Sequence, residues 1–143
     1  MELDQIHPQL LADCHYLGGL PATQLLLHRN AALPWFILVP DTLLADLLDL
    51  PDVQRQAVLA DCVAISAFIK QVLGLTKVNF AGLGNVVPQM HLHIIGRHDS
   101  DSCWPQPVWG NLPDGGSYAP EKLRQWQRDL AASAALAAVA LGE

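Results

Sequence analysis

The chain has 143 residues, with 14 acidic and 8 basic side chains and a net charge of −6 when histidine is neutral. Its length fits one domain on a guide of roughly 150 residues per domain. The acidic balance disfavours DNA or RNA as the main partner, because polyanion binding depends on clustered Lys and Arg. A hydrophobic fraction of 51% with 15% charged residues excludes a disordered chain.

The termini and the cysteines indicate a soluble cytoplasmic protein. Residues 1–5 are acidic and lack an apolar core, so they are not expected to be a secretory or transit signal. The longest low-polarity run, at 130–141, is 12 residues long, whereas a membrane span needs about 20. Three separated cysteines, Cys14, Cys62 and Cys103, favour free thiols over a disulfide framework or a cysteine zinc site.

The first half of the chain predicts a hairpin, a buried strand and one long helix. Two strands, at 14–17 and 24–28, flank a Gly-Gly turn, and an apolar run bounded by prolines at 34–40 predicts a strand buried on both faces. A short helix is predicted over 42–48. Apolar residues recur near a 3.6 period from Pro51 to Leu73, which predicts a long helix with one core-facing stripe.

The second half predicts two more strands, at 77–81 and 89–95, then a long loop at 99–120 and a final helix at 121–139. Strands, one long helix and further strands indicate an α+β sheet protein with a C-terminal helix. We divide the chain into a main domain at 1–110 and a loop and helix at 111–143 packed on the same domain.

The most informative segment is the strand at 89–95, where polar and apolar residues alternate. Gln89, His91 and His93 occupy alternate positions, so they share one face of a strand. Imidazole is nucleophilic and titrates near neutrality, and a neighbouring imidazole or amide can fix its tautomer. The pattern therefore predicts a reactive histidine pair.

The same pattern leaves two other interpretations open. Histidines on a strand are often structural residues with no chemical role. Alternatively, His-x-His presents two metal ligands. A third ligand would then come from His98, Asp99, Asp101, His15 or His28.

The loop before this strand has features that suit a phosphate. Gly82 and Gly84 allow close backbone approach, and exposed backbone amides there can bind phosphate oxygens. Asn85 can both donate and accept hydrogen bonds. The loop lacks the Lys-Ser/Thr ending of a P-loop, and a plain tight turn is the alternative.

These residues together resemble a known family. The run Asn79 to Arg97, which contains Gly84-Asn85-Val86-Val87-Pro88-Gln89-Met90-His91-Leu92-His93-Ile94-Ile95-Gly96, is similar to the signature of the histidine-triad (HIT) superfamily. Cys103-Trp104-Pro105 and Pro107-Val108-Trp109-Gly110 resemble a bacterial branch labelled diadenosine tetraphosphate hydrolase-like. The resemblance covers about residues 10–110 and implies a HIT-like antiparallel sheet packed with one long helix.

The resemblance also implies an activity. It implies a nucleotide hydrolase or nucleotidyl transferase that needs no metal or other cofactor and acts on a nucleotide or dinucleoside polyphosphate. His91 falls at the position that attacks the α-phosphate to form a nucleotidyl-histidine, and His93 falls at the position that assists at the phosphate. Family members commonly form homodimers through the long helix and an adjoining strand.

Further positions carry expected contacts to substrate. The resemblance places Asn85 and Asn79 near phosphate and Asn30 near ribose, with Arg29 as the competing residue for that role. Arg97 either binds phosphate or is a solvated residue at a strand end.

Gln89 is the third expected catalytic residue, placed to stabilise the phosphoryl oxygens, and it is the departure from the family pattern, because the first triad position is normally histidine. An amide can hydrogen-bond but cannot carry a proton near pH 7, and losing a general acid costs on the order of 10²–10⁴ in rate. A nucleotide-binding module with little turnover is therefore the alternative function.

Several aromatic residues have simpler expected roles. Trp35 is expected in the core, with a place beside the base as the alternative, and His28 is expected to be structural or at the surface. Trp109 either anchors the long loop or stacks on a purine.

Overall fold

The protein was analysed as a computed structural model that describes residues 1–142. Within that range the strands are β1 (Cys14–Gly19), β2 (Thr23–His28), β3 (Trp35–Pro40), β4 (Lys77–Ala81), β5 (Leu92–Arg97) and β6 (Ala137–Ala138). The α-helices are α1 (Pro8–Asp13), α2 (Asp52–Gln71) and α3 (Pro120–Ala134), and short 3-10 helices span Leu3–Gln5 and Leu47–Asp49. All strand pairs are antiparallel, in the order β4-β5-β3-β2-β1-β6. The α+β prediction is confirmed.

The two faces of the sheet are covered by different parts of the chain. Helices α2 and α3 cover one face, where Phe36, Phe68 and Trp126 pack together with ring centroids about 6 Å apart. The N-terminal segment, residues 1–13, and the loop after β5 cover the other face, where Trp35 and Ile37 lie. Alternate residues of β3 point to opposite faces, and all six of them are buried. The predicted two-sided burial of this strand is therefore confirmed.

Both long helices follow the periodicity of their sequences. In α2, Val58, Ile65 and Ile69 are fully buried, and in α3 Leu123 and Leu130 reach the same core. Each such side chain contributes about 1.5–3 kcal/mol of hydrophobic stabilisation when it leaves water. These helices therefore fix the sheet's back face and leave its front face for a site.

The strand that carries the histidines begins later than the sequence pattern predicts. It starts at Leu92 instead of residue 89, because β4 ends before it could pair with residues 89–91 and the pairing with β3 stops at Leu92 although β3 continues to Pro40. β4 ends at Ala81, opposite His93, and the last pair with β3 joins Leu38 to Leu92. His93 therefore lies in the sheet, whereas His91 and Gln89 lie in the loop that leads into it.

Other differences lie at the chain ends and before α2. The final helix ends at Ala134, not residue 139, because Ala135 takes a left-handed conformation (φ 56°) and the chain then pairs with β1 as β6. The predicted helix at 42–48 is only a 3-10 turn at Leu47–Asp49. Helix α1 and strand β6 had no counterpart among the predicted elements.

Two findings bear on the expected environment of the protein. Over residues 1–142, no helix is both long enough and apolar enough to cross a membrane. Cys14, Cys62 and Cys103 are all free thiols, and all are buried. Burial raises the pKa of the Cys14 and Cys62 thiols to about 12, so both are protonated and unreactive near neutral pH.

Candidate active site

The two histidines of the motif lie side by side on the front face of the sheet. The ring centroids of His91 and His93 are 4.9 Å apart, and their planes are inclined by 70°. Both side chains are largely buried, with 8% and 5% exposure. The structure therefore brings the predicted histidine pair together although only His93 belongs to a strand.

A backbone carbonyl fixes the orientation of His91. Its Nδ1 lies 2.7 Å from the carbonyl oxygen of Gln89. A carbonyl only accepts hydrogen bonds, so the proton of the neutral imidazole is on Nδ1 and Nε2 carries a free lone pair. Nε2 of His91 is therefore the available nucleophile.

A tryptophan fixes the orientation of His93 and gives it the opposite tautomer to that of His91. The indole Nε1 of Trp35 donates to Nδ1 of His93 at 3.0 Å. Because indole nitrogen is only a donor, Nδ1 of His93 is the acceptor and its proton is on Nε2. Burial is the main cause that lowers the pKa of His93 to about 4, followed by the charges of His91 and His28. His93 is therefore a neutral N–H donor at physiological pH.

An aromatic pocket of about 390 Å³ opens beside the two histidines. His28 stacks on Trp35 with centroids 4.3 Å apart and planes within 10°. Trp109 meets both Trp35 and His93 edge-on, at 5.7 and 5.0 Å. This size and lining are typical of pockets that bind small organic molecules, and we call it the aromatic pocket below.

A second cavity of about 410 Å³ also reaches His91, which lines both cavities. Asp46, Asp49 and the Gly82–Gly84 backbone border it, and we call it the acidic cavity. His91 therefore borders two cavities of different polarity.

The glycine loop borders the aromatic pocket as well. Gly84 has a φ of +67°, in the left-handed region that glycine adopts without strain. Asn85 follows it and lines the pocket together with Gly84. Of the predicted substrate-binding residues, Asn85 is the one that the structure places beside His91.

Arg97 lies in a buried ion pair instead of the pocket. Its guanidinium donates to both carboxylate oxygens of Asp101, at 2.7 and 3.0 Å, and to Oδ1 of Asn79 at 3.0 Å and the carbonyl of Gln106 at 2.9 Å. Only 1% of Arg97 is exposed, so it is not the solvated residue that one interpretation expected. This network occupies both Arg97 and Asn79, and their contact with substrate stays a prediction.

The side chain of Asn30 forms hydrogen bonds with two loops. Its Oδ1 accepts hydrogen bonds from the backbone N–H groups of Ala32 (3.0 Å) and Gly115 (2.9 Å), and its Nδ2 donates to the carbonyl of Pro113 at 3.1 Å. Asn30 therefore joins the loop after β2 to the loop before α3. Its predicted contact with ribose has no counterpart in these hydrogen bonds and stays a prediction.

Gln89 faces the N-terminal segment. Its Oε1 accepts from the backbone N–H of His7 at 2.7 Å, and its Nε2 donates to the carbonyl of Gln5 at 2.8 Å. Within the described chain, both hydrogen bonds of the carboxamide go to that segment, so its expected catalytic role also stays a prediction.

Comparison with known proteins identifies the family of this site. The family model described as "HIT domain" matches residues 10–100, a range that includes His91, His93 and the glycine loop. The chain belongs to the histidine triad (HIT) family. None of the curated proteins matches the sequence.

Solved structures of histidine triad proteins are similar to this HIT protein over nearly the whole chain. One from Marinobacter aquaeolei VT8 is 37% identical, with a TM-score of 0.83 over 92% of this chain and 96% of its own. One from Bradyrhizobium japonicum is 31% identical, with a TM-score of 0.83 over 91% and 97%. One from Sinorhizobium meliloti 1021 is 28% identical, with a TM-score of 0.83 over 90% and 96%.

The metal-site interpretation lacks a third ligand in the part of this HIT protein that the structure describes. No group of three or more His, Cys, Asp or Glu residues is placed to hold a metal ion among residues 1–142. His98, Asp99 and Asp101 follow the strand, and Asp101 is committed to Arg97.

Three aromatic residues of the pocket, His28, Trp35 and Trp109, were not among the predicted site residues, although a place beside the base was an alternative for Trp35 and Trp109. His28 ends β2 and Trp35 begins β3, so strand pairing brings them to the histidines of this HIT protein, whereas the loop after β5 brings Trp109 there. In the pairing of β3 with β5, Ile37 is opposite His93 and Trp35 is opposite Ile95. Alternation within β3 puts Trp35 and Ile37 on one face.

Proposed function

We propose that this HIT protein is a nucleotide hydrolase or nucleotidyl transferase that cleaves at an α-phosphate through a nucleotidyl-histidine on His91. The observation that carries the proposal is the hydrogen bond from Nδ1 of His91 to the Gln89 carbonyl. It leaves the Nε2 lone pair of a neutral imidazole available beside a pocket of suitable size.

The reaction has two displacements at one phosphorus atom. In the first, Nε2 of His91 forms a bond to the α-phosphorus while the bond to the leaving oxygen breaks, and the leaving group takes the electron pair. In the second, water attacks the same phosphorus and loses a proton to solvent, the electron pair of the phosphorus–nitrogen bond returns to Nε2 of His91, and a nucleoside monophosphate is released. An intermediate of this kind divides one difficult displacement into two easier ones.

The surrounding groups suit the charge that develops on the phosphoryl oxygens. His93 provides a neutral Nε2–H donor, and the loop at Gly84 and Asn85 provides further donors. Such fixed donors stabilise the transition state without reorganising during the reaction. The ring faces of Trp35, His28 and Trp109 suit a nucleobase.

A dinucleoside polyphosphate is our proposed substrate, because two cavities meet at His91. One nucleoside would occupy the aromatic pocket, and the acidic cavity has room for the second. Asp46 and Asp49 border that cavity, and carboxylates there suit ribose hydroxyl groups better than phosphates, which they repel.

A nucleotide-binding module with little turnover is the second candidate function. The leaving oxygen needs a proton unless it is a good leaving group. Gln89 has no proton to give, and His93 is neutral because burial holds its pKa at about 4. This lack of an evident proton donor favours slow turnover of any substrate with a poor leaving group.

We also propose that the protein forms a homodimer in the cytoplasm. β4 lies at one end of the strand order, where its outer edge is available for pairing. Beside it Leu59, Val63 and Phe80 line an apolar groove, and their exposures are 37%, 67% and 49%. Exposed apolar surface next to a free strand edge suits a second copy of the same edge, and the three free thiols suit a reducing compartment.

The experiment that tests the function is incubation with diadenosine tetraphosphate in the presence of a chelator. Products are followed by chromatography, and the protein is followed by intact mass. His91→Ala is the test variant, and His98→Ala is the matched control because His98 lines neither cavity and its Nδ1 accepts a hydrogen bond from the backbone N–H of Ser100. We expect turnover that His91→Ala abolishes and His98→Ala retains. Binding without product or adduct would support the second candidate, and no binding would contradict both.

A further inference from the structure

The carboxamide of Gln89 forms a two-point link to a distant part of the chain. It accepts a hydrogen bond from the backbone N–H of His7 at 2.7 Å and donates one to the carbonyl of Gln5 at 2.8 Å. These partners are 82 and 84 residues away in sequence. A carboxamide is the side-chain equivalent of a peptide group, so it fills a gap in the backbone hydrogen bonding of residues 5–7.

The linked segment is a wall of the aromatic pocket. Gln9, Leu10 and Asp13 of α1 line the pocket together with residues of the glycine loop. Helix α1 has only six residues, and so short a helix is not stable without tertiary contacts. Leu10 anchors it in the front core, and the Gln89 link holds the turn immediately before it.

The same residue also holds the nucleophile. The backbone carbonyl of Gln89 accepts from Nδ1 of His91, while its side chain holds the pocket wall. A shift of the N-terminal segment would therefore act directly on the residue that orients the imidazole. Oε1 and one N–H of the amide are used in this link, and a carboxamide has no proton to give near pH 7.

We propose that Gln89 is a positioning residue that clamps the N-terminal segment as a wall of the aromatic pocket and takes no part in proton transfer. The proposal rests on the proposed function insofar as the pocket binds a nucleotide. It explains why glutamine suits this position, since the link needs one donor and one acceptor on one planar group. Glutamate would keep the acceptor for His7 but would place a carboxylate oxygen against the Gln5 carbonyl.

The test compares Gln89→Ala and Gln89→Glu with the wild type, and Gln127→Ala is the matched control. The Nε2 group of Gln127 also bonds two backbone carbonyls, those of Leu17 (3.0 Å) and Val139 (2.8 Å), away from the pocket. Hydrogen exchange is measured at the backbone amides of residues 5–13. The Kd for AMP is measured by calorimetry, and kcat and KM are measured with diadenosine tetraphosphate as substrate.

We expect faster exchange at residues 5–13 in both Gln89 variants and not in Gln127→Ala. Because two net hydrogen bonds are lost, Gln89→Ala should raise Kd and KM about tenfold and change kcat less than about threefold. Gln89→Glu, which retains one bond, should lie between wild type and Gln89→Ala.

Two results would overturn the clamp: unchanged exchange at residues 5–13, or a fall in kcat of a hundredfold or more with KM unchanged. The latter would make Gln89 a catalytic residue. If the wild type binds no AMP and turns over no substrate, the proposed function fails, whereas the exchange comparison still decides whether the clamp exists.

Discussion

The Arg97–Asp101 ion pair supports one prediction whose size follows from the structure. Both side chains are 2% exposed, and the guanidinium contacts both carboxylate oxygens. The hydrogen bonds from Arg97 are the main cause that lowers the pKa of Asp101 to about 2, from an ordinary value of 3.8. The perturbation is Asp101→Asn, which keeps the shape of the side chain and removes its charge.

The lowered pKa of Asp101 gives the expected loss of stability in Asp101→Asn. A shift from 3.8 to about 2 corresponds to about 2 kcal/mol of unfolding free energy at neutral pH. The carboxylate's contribution is complete above the unfolded pKa and is lost as the pH falls through the folded pKa. At pH 5 it is still about 2 kcal/mol, and at pH 3 it is about 1 kcal/mol.

The assay is urea unfolding of wild type and Asp101→Asn at pH 7, 5 and 3. The matched control is Asp52→Asn, because Asp52 pairs with Arg55 at 2.6 Å but is 84% exposed. Exposed pairs usually contribute between zero and about 1 kcal/mol. We expect a difference in unfolding free energy between wild type and Asp101→Asn that becomes smaller at pH 3. For the control variant we expect a small difference that is nearly the same at every pH.

The ion pair also has an expected effect on the site. Arg97 fastens the loop that leads to Trp109, through Asp101 and the Gln106 carbonyl. Loosening that loop should raise KM more than it lowers kcat. If Asp101→Asn and Asp52→Asn lost equal stability at every pH, the assignment of Arg97 to a buried structural pair would be refuted. If Arg97→Gln raised KM without loss of stability, that result would instead favour the predicted contact of Arg97 with phosphate.

Three further predictions concern the site and the edge of the sheet. Trp35→Phe should leave Nδ1 of His93 without a hydrogen-bond donor, at a cost of about 1–3 kcal/mol in stability. In the wild type, nitrogen NMR should show that Nδ1 of His93 is unprotonated, and a protonated Nδ1 would contradict the assigned tautomer. The folded pKa of His93 is about 4 and its ordinary value is 6.5, so the unfolding free energy of the wild type should fall by about 3 kcal/mol as the pH falls from 6.5 to 4. In urea titrations, His93→Gln should flatten this pH dependence of stability. An unchanged dependence in the variant would refute the lowered pKa of His93. Phe80→Glu and Val63→Glu should convert a dimer to monomer in sedimentation, whereas a wild type that sediments as a monomer would exclude the proposed interface.

The local patterns of the sequence determined the long helix, the buried central strand and the histidine pair. The 3.6 period of the long helix requires a buried stripe, and Val58, Ile65 and Ile69 form it. The proline-bounded apolar run became the fully buried β3, because such a run has no polar face to present to water. The alternation around His91 and His93 was sufficient to predict that these side chains lie together.

The boundaries of the elements depended on neighbours that no local pattern contains. The histidine strand begins at Leu92 because its pairing with β4 ends at His93 and its pairing with β3 ends at Leu92. The last helix ends at Ala134 because the chain beyond it pairs with β1. Helix propensity alone, in an alanine-rich run, favours continuation, so tertiary pairing decided the end.

By itself the sequence determined which residue types are present for phosphate chemistry, and the tertiary structure decided which of them meet. The sequence could not reveal that Trp35 donates to His93 or that Gln89 holds the N-terminal segment, because those hydrogen bonds join residues 58 and more than 80 positions apart. Contacts at such separation depend on how strands pair and loops close, and these are properties of the whole chain. Local spacing contains no information on them.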